Sequence, residues 1–146
     1  MDGADRFTPA QRSAAMRAVK SRDTAPERIV RRAAFALGAR FRLHGGDLPG
    51  RPDLVFRAKR KAVFVHGCFW HGHACRRGAR APKANADYWL AKIARNRARD
   101  AAILDALRET GWSALVIWEC EIRDAAALSR TLEAFLFPER RNDVRR

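Results

Sequence analysis

The stretch Asp53-Leu54-Val55-Phe56-Arg57-Ala58-Lys59-Arg60-Lys61-Ala62-Val63-Phe64-Val65-His66 decides the fold. Two apolar segments, Asp53–Phe56 and Ala62–His66, flank a polar tetrapeptide, and an antiparallel hairpin is the simplest connection between them. Upstream, Phe41–His44 reads as a third extended segment. Before it, Thr24-Ala25-Pro26-Glu27 has capping-box spacing. Ile29, Val30, Ala33, Ala34 and Leu37 then recur at helical spacing until Gly38 offers a stop. A shorter helix is predicted from Thr8-Pro9 to about Val19. Downstream, residues 67–86 lack periodicity and read as a loop that something must hold. Asp87 is expected to cap a long helix to about Thr110, with Trp89, Leu90, Ile93, Ile103, Leu104 and Leu107 inward. Trp112–Trp118 is nearly all apolar, as in a central strand covered on both faces. A last helix runs from Asp124 to about Leu136 before Pro138, and the tail Arg140–Arg146 is basic and expected to be mobile. This order predicts an α/β protein with one mixed sheet and helices on its faces.

The 146 residues have room for one domain with a short tail, and 47% hydrophobic content argues against disorder. Thirty Lys and Arg against 16 Asp and Glu leave +14, a surplus that a polyanionic partner explains best. Residues 1–60 carry 14 basic and 6 acidic side chains and residues 61–100 carry 9 and 2, whereas residues 101–146 carry 7 and 8. The binding face is therefore sought on the first two thirds. Arg supplies 25 of the 30 cations, and its fork suits phosphate oxygens. No apolar run approaches the ~20 residues of a membrane helix. The first residues lack the order of a secretion signal, so a cytosolic protein without disulfides is expected.

Residues 65–75, Val-His-Gly-Cys-Phe-Trp-His-Gly-His-Ala-Cys, pack three His and two Cys into eleven positions. The three cysteines could be buried thiols, reactive thiols or metal ligands. The spacing Cys68-x4-His73-x-Cys75, with the remote Cys120, suits one tetrahedral zinc that pins the loop to the sheet.

Asp53 stands where an apolar strand begins, after Leu48-Pro49-Gly50-Arg51-Pro52. It either closes a turn after Pro52 or faces a site at the sheet end. The neighbouring strand ends in His66 and leads to His71. A carboxylate that anchors Mg²⁺ beside imidazoles suits phosphodiester hydrolysis. Glu27 is either one half of its capping box or an acid pointing into that group. Asp100, in Arg95-Asn96-Arg97-Ala98-Arg99-Asp100, reads by itself as a helical counter-ion. Phe69 and Trp70 are either core or, in a loop fixed by metal, a wedge presented to base steps. Met16 is either packing or a second probe on the N-terminal helix.

Together these segments resemble the bacterial very short patch repair endonucleases, of the restriction-endonuclease-like superfamily. The match runs from about Arg12 to Phe137, nearly the whole chain, and its blocks are Met16-Arg17-Ala18-Val19 through Glu27, Leu48–Phe56, Phe64–Cys75, Trp89–Asp100 and Gly111–Ile122. The resemblance implies a Mg²⁺-dependent nick of duplex DNA on the 5′ side of the thymine in a T·G mismatch, the product of 5-methylcytosine deamination. It implies a restriction-endonuclease-like fold with a structural zinc site and an endonuclease domain over residues 1–137, with residues 1–23 as a DNA-contacting arm; residues 138–146, beyond the match, read as a basic flexible tail. By residue, it implies Asp53 and the Val65 carbonyl for Mg²⁺ and His71 as the catalytic base, with Glu27, His66 and Asp100 in support. Cys68, His73, Cys75 and Cys120 match the zinc ligands, and Phe69, Trp70 and Met16 the intercalating residues. The superfamily's acidic-x-Lys signature is absent; Val65-His66-Gly67 stands in its place, and His71 takes over proton abstraction. A monomer acting in the bacterial cytoplasm at the nucleoid, with mismatch-repair proteins as possible partners, completes the implied picture. The alternatives are a zinc-stabilised DNA-binding module without catalysis and a basic RNA-binding protein.

Overall fold

The computed structural model describes residues 24–75 and 84–140. The predicted helix at 8–19, Met16 and the tail beyond Arg140 lie outside the described residues. Helix α1 spans Ala25–Ala36; Thr24 caps it, its hydroxyl accepting from the Glu27 N–H at 3.4 Å, and Pro26 sits in the first turn where no backbone donor is needed. Gly38, at φ +86°, takes the left-handed turn that ends it. Strand β1 (Arg42–Leu43) pairs antiparallel with β2 (Leu54–Phe56), and β2 pairs antiparallel with β3 (Lys61–His66) in the predicted hairpin. A 3-10 turn at Arg57–Lys59, closed by Arg60 at φ +53°, joins them. Helix α2 (Ala86–Glu109) then crosses over to β4 (Ser113–Trp118), which runs parallel to β3. Asp124 caps the last helix, α3 (Ala125–Leu136), by accepting from the Ala127 N–H at 3.0 Å.

Alternation along the strands assigns the two sheet faces. Leu54, Phe56, Val63 and Ile117 meet Val30 and Ala34 of α1 and Leu128, Leu132 and Leu136 of α3 in the main core. The opposite parity, Val55, Ala62, Phe64 and His66, turns to the other face. There α2 packs beside β4, with Leu107 fully buried.

Three expectations are corrected. The apolar run at 112–118 is not a central strand: in the order β1-β2-β3-β4 it is the edge among the described residues, made apolar by helices on its two faces. Asp87 lies in the first turn of α2, not at its cap; Asn85 occupies the cap in a left-handed conformation with no side-chain cap bond. Leu90 is 56% exposed, because the first turns of α2 overhang the loop and not the sheet. The tail is also anchored at its start: Arg140 donates to the Leu37 carbonyl at 3.0 Å and stacks 3.7 Å above the Phe137 ring.

Candidate active site and metal centre

The parallel strands β3 and β4 both finish at one end of the sheet, and the antiparallel β2 begins there. Every strand-borne candidate except the ring pair is thus delivered to a single end by topology. Asp53, just before β2, accepts the Val65 N–H on Oδ2 at 2.7 Å. A strand residue's N–H and C=O point to the same side, so the Val65 carbonyl faces the Asp53 side too. Glu27 arrives from the first turn of α1 and is almost fully buried. Its carboxylate is 3.3 Å from Arg31 one helical turn on. Donor atoms of Glu27, Asp53 and His44 all lie within 4.8 Å of one another. Burial, opposed by the Val65 N–H and reinforced by the Glu27 charge, pushes the Asp53 carboxyl up to about 7. Two carboxylates share a site with little water to screen them, an arrangement that favours a cation between them.

A second group faces the same cleft of about 620 Å³. His71 Nδ1 is 2.6 Å from Asp100 Oδ2, which fixes the ring and leaves Nε2 as the basic nitrogen once Nδ1 carries the shared proton. The His66 ring lies flat on that of His71, 3.8 Å between centroids and 6° from parallel. Burial, joined by the neighbouring His71, drives the His66 imidazole down to about 4, so it is neutral near pH 7. Its Nδ1, 4.0 Å from Asp100, is buried without a hydrogen-bond partner among the described residues. Arg51 and Arg99 line the cleft as its cations.

The third group is Cys68, His73, Cys75 and Cys120, again with all donor atoms within 4.8 Å of one another. Cys68 is fully buried after β3, and Cys120 sits in the 3-10 turn Glu119–Glu121 after β4. Burial pushes the Cys68 thiol up to about 12 and raises Cys120 also. The His73 ring stacks on Trp118 at 4.1 Å and sets Nδ1 3.6 Å from the Cys120 sulfur. Tight turns shape the segment between, with His73 N–H donating to the Cys68 carbonyl at 2.9 Å. Gly72, at φ +65°, makes close contact with α2 possible: a Cβ there would lie 2.8 Å from Ile93 Cγ2.

Phe69 and Trp70 are only half-buried, and Trp89 of α2 completes an edge-to-face triangle with them at 5.2 to 6.3 Å. Asn96 donates to the Trp70 carbonyl at 2.8 Å and holds the loop on the helix. Trp89 faces inward as expected, but its partners are these rings and not the sheet. His44 gives no signal in sequence, since only the pairing of β1 with β2 carries it to the acids.

An acid pair and an oriented histidine around one cleft, at the sheet end of a strongly basic chain, form the constellation of a nuclease. Comparison with known proteins specifies the kind. The family model described as DNA mismatch endonuclease Vsr matches residues 4–77. The type II nicking enzyme V.XorIIP of Xanthomonas oryzae is 49% identical over 134 residues, covering 92% of this chain and 98% of that protein. V.NmeAIP of Neisseria meningitidis, also a type II nicking enzyme, is 41% identical over 122 residues, 84% and 86% of the two chains. The DNA mismatch endonuclease Vsr of Escherichia coli is 40% identical over 126 residues, 86% of this chain and 80% of its own. The chain belongs to the Vsr family of DNA mismatch endonucleases and is a DNA-cleaving hydrolase. Among the described residues no helix is long and apolar enough to cross a membrane.

Proposed function

We propose that this endonuclease nicks one strand of duplex DNA on the 5′ side of the thymine in a T·G mismatch, with Mg²⁺ as its cation. The observation that carries the reading is the shared cleft, which sets the Asp53–Glu27 acids and the His71–Asp100 pair against one substrate backbone. The residues fit the ion: two carboxylate side chains and a strand-end carbonyl are the hard oxygen donors that magnesium takes. Asp53 and the Val65 carbonyl would hold it, with Glu27 behind them, and it would polarise the phosphate oxygens. His71 Nε2 accepts a proton from the attacking water, and Asp100 stabilises the imidazolium that results. Water oxygen bonds to phosphorus, the bond to the 3′ oxygen breaks, and 3′-hydroxyl and 5′-phosphate ends remain. His66, stacked and neutral, keeps the His71 ring in its plane.

Cys68, His73, Cys75 and Cys120 are proposed to hold a structural zinc. A tetrahedron with Zn–S bonds of about 2.3 Å has edges near 3.8 Å, compatible with donors no more than 4.8 Å apart. Its place is to fix the loop that carries His71 and the rings. Phe69, Trp70 and Trp89 are offered as the wedge; separating base steps costs a few kcal/mol, least at a mispair, which supports discrimination. Met16 and residues 1–23 are proposed as an arm on the same duplex, and residues 1–137 as the endonuclease domain.

Labelled duplexes with and without a T·G pair, incubated with Mg²⁺ or EDTA, test this. Nicking is expected only of the mismatched duplex and only with Mg²⁺. Equal cutting of perfect duplex would remove the mismatch reading. Gly72→Ala gives a finer check on positioning. The new Cβ would press on Ile93 and lift His71 from Asp100, and single-turnover nicking should fall by about a hundredfold, the usual cost of a misplacement near 1 Å.

A further inference from the structure

We propose that His44 is a third ligand in the Glu27–Asp53 pocket and biases the enzyme toward manganese over magnesium. This rests on the reading of Asp53 as a cation-holding residue. Three different elements supply the donors: the first turn of α1, the residue before β2 and the residue after β1. His44 is tied to Asp53 through the backbone as well, its N–H donating to the Asp53 carbonyl at 3.2 Å. At φ +52° its backbone occupies the left-handed region, uncommon for a residue other than glycine but one that histidine enters more readily than most. The next residue fixes that turn: a Cβ on Gly45 would lie 2.5 Å from Val55 Cγ2, so the loop cannot shift outward without losing its packing. The imidazole is thus carried into the pocket by the sheet, within 4.8 Å of both carboxylates.

The chemistry of the donor set then matters. Two carboxylates alone suit any hard divalent cation. An imidazole nitrogen adds little for magnesium, which keeps oxygen ligands and its own waters; it adds more for manganese, the first of the first-row series whose affinity for nitrogen donors rises toward copper. His66 and His71 are grouped with Asp100, so they do not supply this nitrogen.

The test uses the full chain with its Cys3His site first filled with zinc. Manganese is titrated and followed by electron paramagnetic resonance, and the bound ion is examined for spin-echo modulation from a directly bound ¹⁴N. The wild type is expected to bind manganese with that modulation. His44→Gln should lose the modulation and bind manganese about tenfold more weakly, whereas competition with magnesium should report a change below about threefold. No modulation in the wild type, its persistence in His44→Gln, or equal weakening for both cations would overturn the role of His44 while leaving Asp53 untouched. Asp53→Ala distinguishes the premise. It should release manganese, and retention would overturn the Asp53 assignment and this proposal with it.

Discussion

Asp53→Asn should reduce nicking of a T·G duplex by at least about a thousandfold, a loss near 4 kcal/mol of transition-state stabilisation. The same substitution should leave the metal-free protein more stable at pH 7. Asparagine keeps the shape and still accepts the Val65 N–H, now at 2.7 Å from Asp53 Oδ2. What it removes is the second buried charge beside Glu27. The folded protein holds the Asp53 proton up to about pH 7, whereas the unfolded chain releases it near 3.8. Between those values the native state binds more protons, so its stability falls as pH rises. The wild type should therefore lose stability from pH 4 to 7 in EDTA, and Asp53→Asn should lose less. Thermal melts at pH 4.5 and 7 read this directly. Mg²⁺ should reverse the order at pH 7, because a ligand that binds only the native wild type raises its melting temperature. A variant that is inactive and also less stable in EDTA would mean that Asp53 is a structural turn residue.

How much of this was readable from residues alone follows from what each pattern reports. The hairpin, α1 and α3 were legible because caps and alternation are local signals: Thr24 and Asp124 each accept from the N–H three residues on. β4 was misplaced because apolar content reports covered faces and says nothing about a strand's neighbours. The instructive case is α2. Its inward residues are Trp89, Ile93, Asn96, Asp100, Ile103 and Leu107, an unbroken i+3/i+4 stripe with two polar members in the middle. Judged by its neighbours in sequence, Asp100 resembles a counter-ion to Arg97 and Arg99. Judged by helical phase, it lies seven residues from both Ile93 and Leu107 and must face inward. A helix that spends its inner face on a site has a weak apolar pattern for that reason. His44 carries no such phase signal, because it follows a strand of only two residues.

Cys120→Ser should remove one bound zinc and lower nicking by more than about a hundredfold, with the main fold retained. The two halves of that expectation come from different parts of the molecule. The core of α1, α3 and the sheet closes without any of the four donors. Far-ultraviolet dichroism should therefore change little, unlike a zinc finger, which unfolds when its metal leaves. The segment from Cys68 to Cys75 has no such support. Its ties are short turns, the Asn96 bond to Trp70 and the His71–Asp100 pair, and β4 reaches it through Cys120 and Trp118. Without the fourth donor those ties must resist the entropy of a loop whose remaining thiols have lost their common partner. His71 would then sample positions away from the Asp53 side of the cleft, and the ring triangle would loosen with it. Limited proteolysis should show new cleavage between residues 67 and 75 in Cys120→Ser, while Asp53→Asn keeps its zinc and stays resistant there. Loss of zinc with full nicking activity would detach the metal from the positioning of His71, and the loop would then have to be held by α2 alone.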